Sequence, residues 1–193
     1  MRPQTEKPAD QVMRFFTPDL FVRFNSSDDA TADQANDEWE TAIRAYRTHI
    51  DGLREQMPSQ VRRLASLCLH DAEILASEQA VEPVFPPGPL EPFPSWTGVS
   101  ILSVRQDHEV TSLIYVLWDR VRSHQSPEGW PFSRSRTHWL YDEIDIVSNR
   151  PGMFLHRVLL SDGAILEIPF VSALIHSFSL SESHEPDAAR QSA

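Results

Sequence analysis

The chain is short of several things, and each shortage excludes a class of protein. Its single cysteine, Cys68, rules out an internal disulfide framework and a zinc site built on several thiolates. With only six glycines, no glycine-rich phosphate loop or nucleotide fingerprint can be assembled. There is no Gly-x-Ser-x-Gly elbow, no His-Glu-x-x-His pair and no EF-hand run. No window approaches the ~18–20 consecutive apolar residues of a membrane-spanning helix. The opening MRPQTEKPADQ has no apolar stretch after its charges, so no secretory leader is expected. Lys7 is the only lysine, against sixteen arginines, and no function follows from that skew.

Positive charge is also scarce. Lysine and arginine total 17 against 28 acids, a net charge of −11. The deficit is shared, with fourteen acids to nine bases in residues 1–80 and fourteen to eight in the remainder. A negative field of this kind repels phosphate backbones and anionic membrane surfaces, so neither nucleic acid nor membrane is an expected partner. It would attract and steer a basic protein, although it also serves plain solubility. With one thiol and no leader, the expected compartment is the cytoplasm. What is present suits a globular chain: 193 residues, 40% hydrophobic, with five Trp and ten Phe to fill a core.

Residues 1–11 read as a loose tail. Met13–Phe24 is strongly aromatic but broken by Thr17-Pro18-Asp19, which suggests a short strand followed by a turn or one helical turn. A helix is expected next. Thr31 with Gln34 matches a capping box. Trp39, Ile43, Tyr46, Ile50, Leu53 and Met57 then form one apolar stripe. Burying those six side chains supplies on the order of 10 kcal/mol before entropy is charged. Pro58 marks a corner, and Val61, Leu64, Ala65 and Cys68 continue a second helix. Leu67–Leu75 is dense enough for a buried helix end or an emerging strand. A helix to Leu69 followed by an extended run is the reading taken.

Residues 81–96 hold six prolines, too many for a helix or an inner strand, and read as an extended connector between a helical part (30–69) and a strand-rich part (97–180). Beyond it, Val99–Val104, Val110–Val121, Trp139–Val147, Met153–Leu160 and Ile165–Ile168 have strand patterns. Ser161-Asp162-Gly163-Ala164 reads as a hairpin. Pro169 should end its strand, and Val171, Leu174, Ile175 and Phe178 keep the steps of a short final helix. Residues 181–193 read as a second tail. The expected fold is a single α+β domain over 12–180, with two N-terminal helices packed on one largely antiparallel sheet of about four to six strands.

Two clusters carry possible chemistry. Adjacent His70 and Asp71, with Glu73 beside them, have residue types that can ligate a divalent metal, with His49 upstream as a third donor and Asp119 as another nominee. This is the pattern of histidine-aspartate phosphohydrolases, which are all-helical where this chain is half β. The plainer reading makes His70 and Asp71 braces of a helix-to-strand corner. In the second cluster, Asp142 and His156 meet on a sheet if their strands pair, and such pairs are commonly structural. On the opposite face Glu143 and Asp145, beside Trp139 and Tyr141 read as exposed, would form an acidic, aromatic face for a cationic partner. Cys68, between Leu67 and Leu69, reads as an inert thiol. Trp39, Tyr46 and Trp118 are candidates to line a small-ligand pocket. No cofactor is expected.

The segments RFFTPDLF at 14–21, LHDAEIL at 69–75 and HRVLLSDGAILEIPF at 156–170 together resemble an uncharacterised bacterial family. That family opens with a Tyr/Phe-Phe-Thr strand and carries a Leu-His-Asp motif after two helices. The resemblance touches about thirty residues, and the proline-rich stretch is not part of the pattern. It implies a bacterial cytoplasmic protein and transfers no catalytic residue. In size and charge alone the chain is also similar to toxin-immunity proteins. These readings converge on a non-catalytic interaction or immunity-like protein for a basic partner, with a metal-assisted hydrolase using His70 and Asp71 as the alternative.

Overall fold

A computed structural model describes residues 12–80, 98–132, 135–148 and 150–180. The tails and the proline-rich connector expected at 1–11, 81–96 and 181–193 lie outside the described residues.

Three helices come first. Helix α1 spans Pro18–Phe24, where a short strand followed by a turn or one helical turn was expected over Met13–Phe24. The segment Thr17-Pro18-Asp19 starts a helix rather than breaking a strand. The Thr17 hydroxyl accepts from the Leu20 amide at 3.2 Å, Pro18 fits the first helical position, and Asp19 lies near the positive end of the dipole. Helix α2 spans Asp29–Leu53 and starts earlier than the Thr31–Gln34 pairing implied. The cap is Asp28, whose carboxylate accepts from both the amide and the hydroxyl of Thr31 at 2.9 and 2.7 Å. A 3-10 turn over Arg54–Gln56 and an extended Met57 before Pro58 lead into α3, Ser59–Leu64.

Seven strands follow: β1 Glu73–Ala80, β2 Gly98–Gln106, β3 Glu109–Leu117, β4 Arg122–His124, β5 Trp139–Ile146, β6 Phe154–Leu160 and β7 Ile165–Ser179. All paired strands are antiparallel, in the order β1-β2-β3-β7-β6-β5, with β4 also on β7. The architecture is thus α+β, with one more strand than the upper expectation. The short final helix is not formed. β7 runs through Pro169 to Ser179, because its second half pairs with β3 from Leu117↔Phe170 to Glu109↔Ser179. Its residues satisfy a period of two as well as one of 3.6, and a neighbouring strand with open amides decides between them. Pro169 sits where β7 leaves β6 and gains β3, beside a register shift, a position at which a missing amide is tolerated.

The sheet curls until its ends meet. The Asp71 amide donates to the Trp139 carbonyl, the Trp139 amide to the Ala72 carbonyl and the Ile74 amide to the Thr137 carbonyl, each at 2.8 Å, and Glu73 bridges His138. This seam encloses one apolar cluster, including Leu102, Leu113, Trp139, Ile144, Phe154 and Phe170, into which Val61 and Leu64 of α3 insert. A second cluster lies outside the curl, where Phe16, Leu20, Phe21 and Trp39 from the first two helices and their approach cover Leu140, Leu159 and Ile165.

Two glycines test the backbone. Gly163, in the β6–β7 hairpin, has φ +82°, and a Cβ there would lie 2.6 Å from the Trp130 ring. Gly152 has φ +80° but open space around it. In urea titrations, Gly152→Ala should therefore lose about 1 kcal/mol from backbone strain alone, and Gly163→Ala about 2–4 kcal/mol from strain plus overpacking. Equal losses would show that the Trp130 contact carries no cost.

Candidate functional site

The polar residues singled out in the sequence fall at three places, separated by a bulge in β5. Trp139 pairs with Leu160 and Tyr141 with Leu159, so Leu140 is an extra residue. Strict alternation would put Trp139 with Tyr141, Glu143 and Asp145. The bulge instead turns Trp139 inward with Asp142 and Ile144, leaving Tyr141, Glu143 and Asp145 on the outer side.

On the inner side, Asp142 and His156 do meet. His156 Nε2 lies 3.1 Å from Asp142 Oδ2, Tyr115 Oη lies 2.9 Å from His156 Nδ1, and Trp139 Nε1 donates to Asp142 Oδ1 at 3.0 Å. A carboxylate only accepts, so Nε2–H donates to Asp142, while Nδ1 shares its hydrogen bond with the Tyr115 hydroxyl. A hydroxyl, an imidazole and a carboxylate in series are the parts of an activated nucleophile. Here they are closed off. Tyr115 is 0% and His156 1% exposed, so no reactant reaches the hydroxyl. Burial, reinforced by the Asp142 charge, pushes the Tyr115 hydroxyl far above its ordinary range, opposite to what a nucleophile needs. The series is a satisfied polar network within an apolar interior.

On the outer side, the expected partner-docking face is not at the surface. Trp139 is 1% and Glu143 2% exposed. Tyr141 packs edge-on against Trp39, with ring centroids 4.3 Å apart, and its hydroxyl is pushed up to about 12 by burial, then by Asp71 and Cys68. Glu143 accepts from three successive amides, those of Arg14 at 2.9 Å, Phe15 at 2.5 Å and Phe16 at 2.7 Å. This carboxylate ties the chain entering α1 to the sheet. Asp145 is half-buried, with His49 3.3 Å away and Arg157 3.9 Å away. Helices α1 and α2 cover this face, which buries Glu143 and leaves Asp145 half-buried.

The third place is the seam. Asp71 takes a left-handed backbone, φ 63°, a conformation Asp tolerates better than most residues. His70 Nδ1–H donates to the Leu140 carbonyl at 2.7 Å, its Nε2 lies 3.3 Å from Asp71 Oδ2, and its ring packs on Tyr141. Glu73 accepts from Arg105 and, at 2.8 Å, from Arg136. His70 and Asp71 thus stand at the corner where the chain turns into β1. His49, on α2 and paired with Asp145 of β5, is not joined to them. Among the described residues no group of three or more His, Cys, Asp or Glu is placed to hold a metal ion. Asp119 pairs with Arg122 at 2.7 Å. Cys68 is exposed rather than enclosed by its leucines, at the mouth of a cleft of about 410 Å³ shared with His108 and Thr111. Trp39, Tyr46 and Trp118 do not line a common pocket. Trp39 and Tyr46 are part of the outer cluster, while Trp118 donates to the Phe154 carbonyl.

The sequence reading missed Tyr115, whose only signal was its place among β-rich residues, and the row Asp29, Asp33 and Asp37. That row was legible as i, i+4 spacing. All three acids are exposed and make no ion pair or side-chain hydrogen bond among the described residues, whereas Glu38 pairs with Arg23 and Glu40 with Arg44. Comparison of the chain with protein-family models, with curated proteins and with solved structures finds no match.

Removing the Glu143 carboxylate leaves three amides without their acceptor. Glu143→Ala should cost about 3 kcal/mol or more in chemical denaturation. Hydrogen exchange at Arg14–Phe16 should accelerate more than elsewhere, and unchanged exchange there would contradict the tie. Glu73 gives a pH signature. Burial raises its carboxyl, but the hydrogen bond and charge of Arg105, then Arg136, outweigh that and hold it below the usual carboxylate value. A lowered folded pKa contributes stability that is present above the unfolded value of about 4.3 and is lost as pH falls through the folded one. The melting temperature of Glu73→Gln should therefore converge on wild type below about pH 4 and fall short of it near neutrality. A constant offset at every pH would assign Glu73 no such role.

Proposed function

We propose that the chain is a non-catalytic interaction protein, immunity-like in character, that holds a basic protein partner through the solvent face of α2. The observation carrying this reading is the bare row Asp29, Asp33 and Asp37. Like charges at i, i+4 repel by about 0.2–0.5 kcal/mol per pair, and the helix dipole compensates only within the first turn. It accounts for Asp29 and leaves Asp33 and Asp37 as a standing cost without a partner among the described residues. A cationic surface would remove that cost on binding. The closed Tyr115–His156–Asp142 network also supports a binding role, since its reactive groups satisfy one another. The compartment this reading implies is the cytoplasm of a bacterium, with neither nucleic acid nor membrane as partner. Among the described residues no helix is long and apolar enough to cross a membrane.

The test uses immobilised full-length protein. A basic protein should be retained at low ionic strength and released by salt. The double variant Asp33→Asn/Asp37→Asn should retain it about tenfold more weakly, with a melting temperature no lower than wild type. Recovery of nothing at low ionic strength, or equal retention by the variant, would remove the proposal.

A further inference from the structure

We infer that the outward face of β2, β3 and the second half of β7 is a self-association surface, through which two copies of this chain form a symmetric dimer. Registers align this face in rows: Val99, Val116 and Ser172 in one, Ile101, Ile114 and Leu174 in the next, with Phe178 opposite Val110 further along. Leu174 is 56% and Phe178 47% exposed. Val99, Ile101, Ile114, Val116, Leu174 and Phe178 belong to neither hydrophobic cluster, because the helices pack elsewhere. The first two helices cover the outer side of β5 and β6, and α3 inserts into the interior.

Charge selects the occupant. The outward positions of these strand segments carry one formal charge, Arg105, and it is already paired with Glu73. A basic protein finds only Glu78 of β1, exposed at the edge beside Ile101, to attract it. A second copy finds the same weakly charged surface. Two bodies of net charge −11 also repel least where the facing strands themselves carry no acid. A two-fold axis lying between the two faces, level with Ile114, lays the Ile101–Ile114–Leu174 row of one copy on the same row of the other, as an isologous contact requires. Such faces stack about 10 Å apart with strands crossing at about 30°. Three strands ~4.8 Å apart, each contributing about eight residues at ~3.3 Å, present roughly 400 Å² per copy. With Ser103, Ser112, Ser172 and His176 among the apolar residues of that face, it is a small interface, so the dimer is a concentration-dependent one.

Sedimentation velocity on the full chain, from low to several hundred micromolar, tests this. The mass should rise from 22.0 kDa toward twice that value. Added salt should strengthen association by screening the repulsion, the reverse of its effect on a basic partner held by α2. Leu174→Glu and Phe178→Glu, both at exposed positions, should weaken association at least tenfold while leaving the far-ultraviolet circular dichroism unchanged. Three results would overturn the inference: a mass of 22.0 kDa throughout, undiminished association of both variants, or open-ended growth beyond two copies.

Discussion

The fold depends on one closure, the pairing of residues 71–74 with 137–139. Three backbone hydrogen bonds of 2.8 Å and one bridge turn a seven-stranded antiparallel sheet into a curl with an inside and an outside. Edge strands with open amides and carbonyls are templates for unwanted pairing, and joining them removes that hazard. The residues that make the seam are specialised for it. Asp71 accepts a left-handed backbone, His70 reaches the next carbonyl along β5, and Glu73 gathers two arginines beside the bridge. A motif of His, Asp and Glu within four residues is therefore accounted for by the mechanics of a corner.

Closure also explains how acids are spent. Asp142, whose side chain stays 22% exposed, is held by the imidazole of His156 and the indole of Trp139. Glu143, one residue on, points the other way and is buried by the first two helices, where three main-chain amides replace its water. Each carboxylate left unpaired would cost several kcal/mol, and neither is left so. Catalytic groups differ from such residues in keeping an open valence toward a reactant. Here Tyr115 and His156 are enclosed, and Glu143 is taken by three main-chain amides.

Surface charge behaves differently. Glu38 and Glu40 find arginines, whereas Asp29, Asp33 and Asp37 line one side of α2 without any among the described residues. The chain thus has an acid-rich helix on one side of the curl and a nearly uncharged strand face elsewhere on it. A dimer through the strand face would leave both acidic rows free, so the two surfaces do not compete for the same contact.

The linear pattern determined a good deal. It placed the apolar stripe of α2, the corner at Met57-Pro58, most of the strands and the Asp-Gly hairpin, because those depend on local propensity, steric limits at proline and side-chain period. The contact between Asp142 and His156 was also legible, since it follows from pairing two neighbouring strands. Tertiary structure alone decided three matters. The bulge at Leu140 sent Trp139 inward, and a single inserted residue leaves no mark in composition. The packing of α1 and α2 on β5 buried Glu143, which a strand pattern read in isolation leaves in solvent. Pairing with β3 held residues 171–179 extended although Val171, Leu174, Ile175 and Phe178 also have helical spacing. In each case the outcome was set by a neighbour distant in sequence, whose hydrogen bonds or apolar surface outweighed a local preference of about 1 kcal/mol or less.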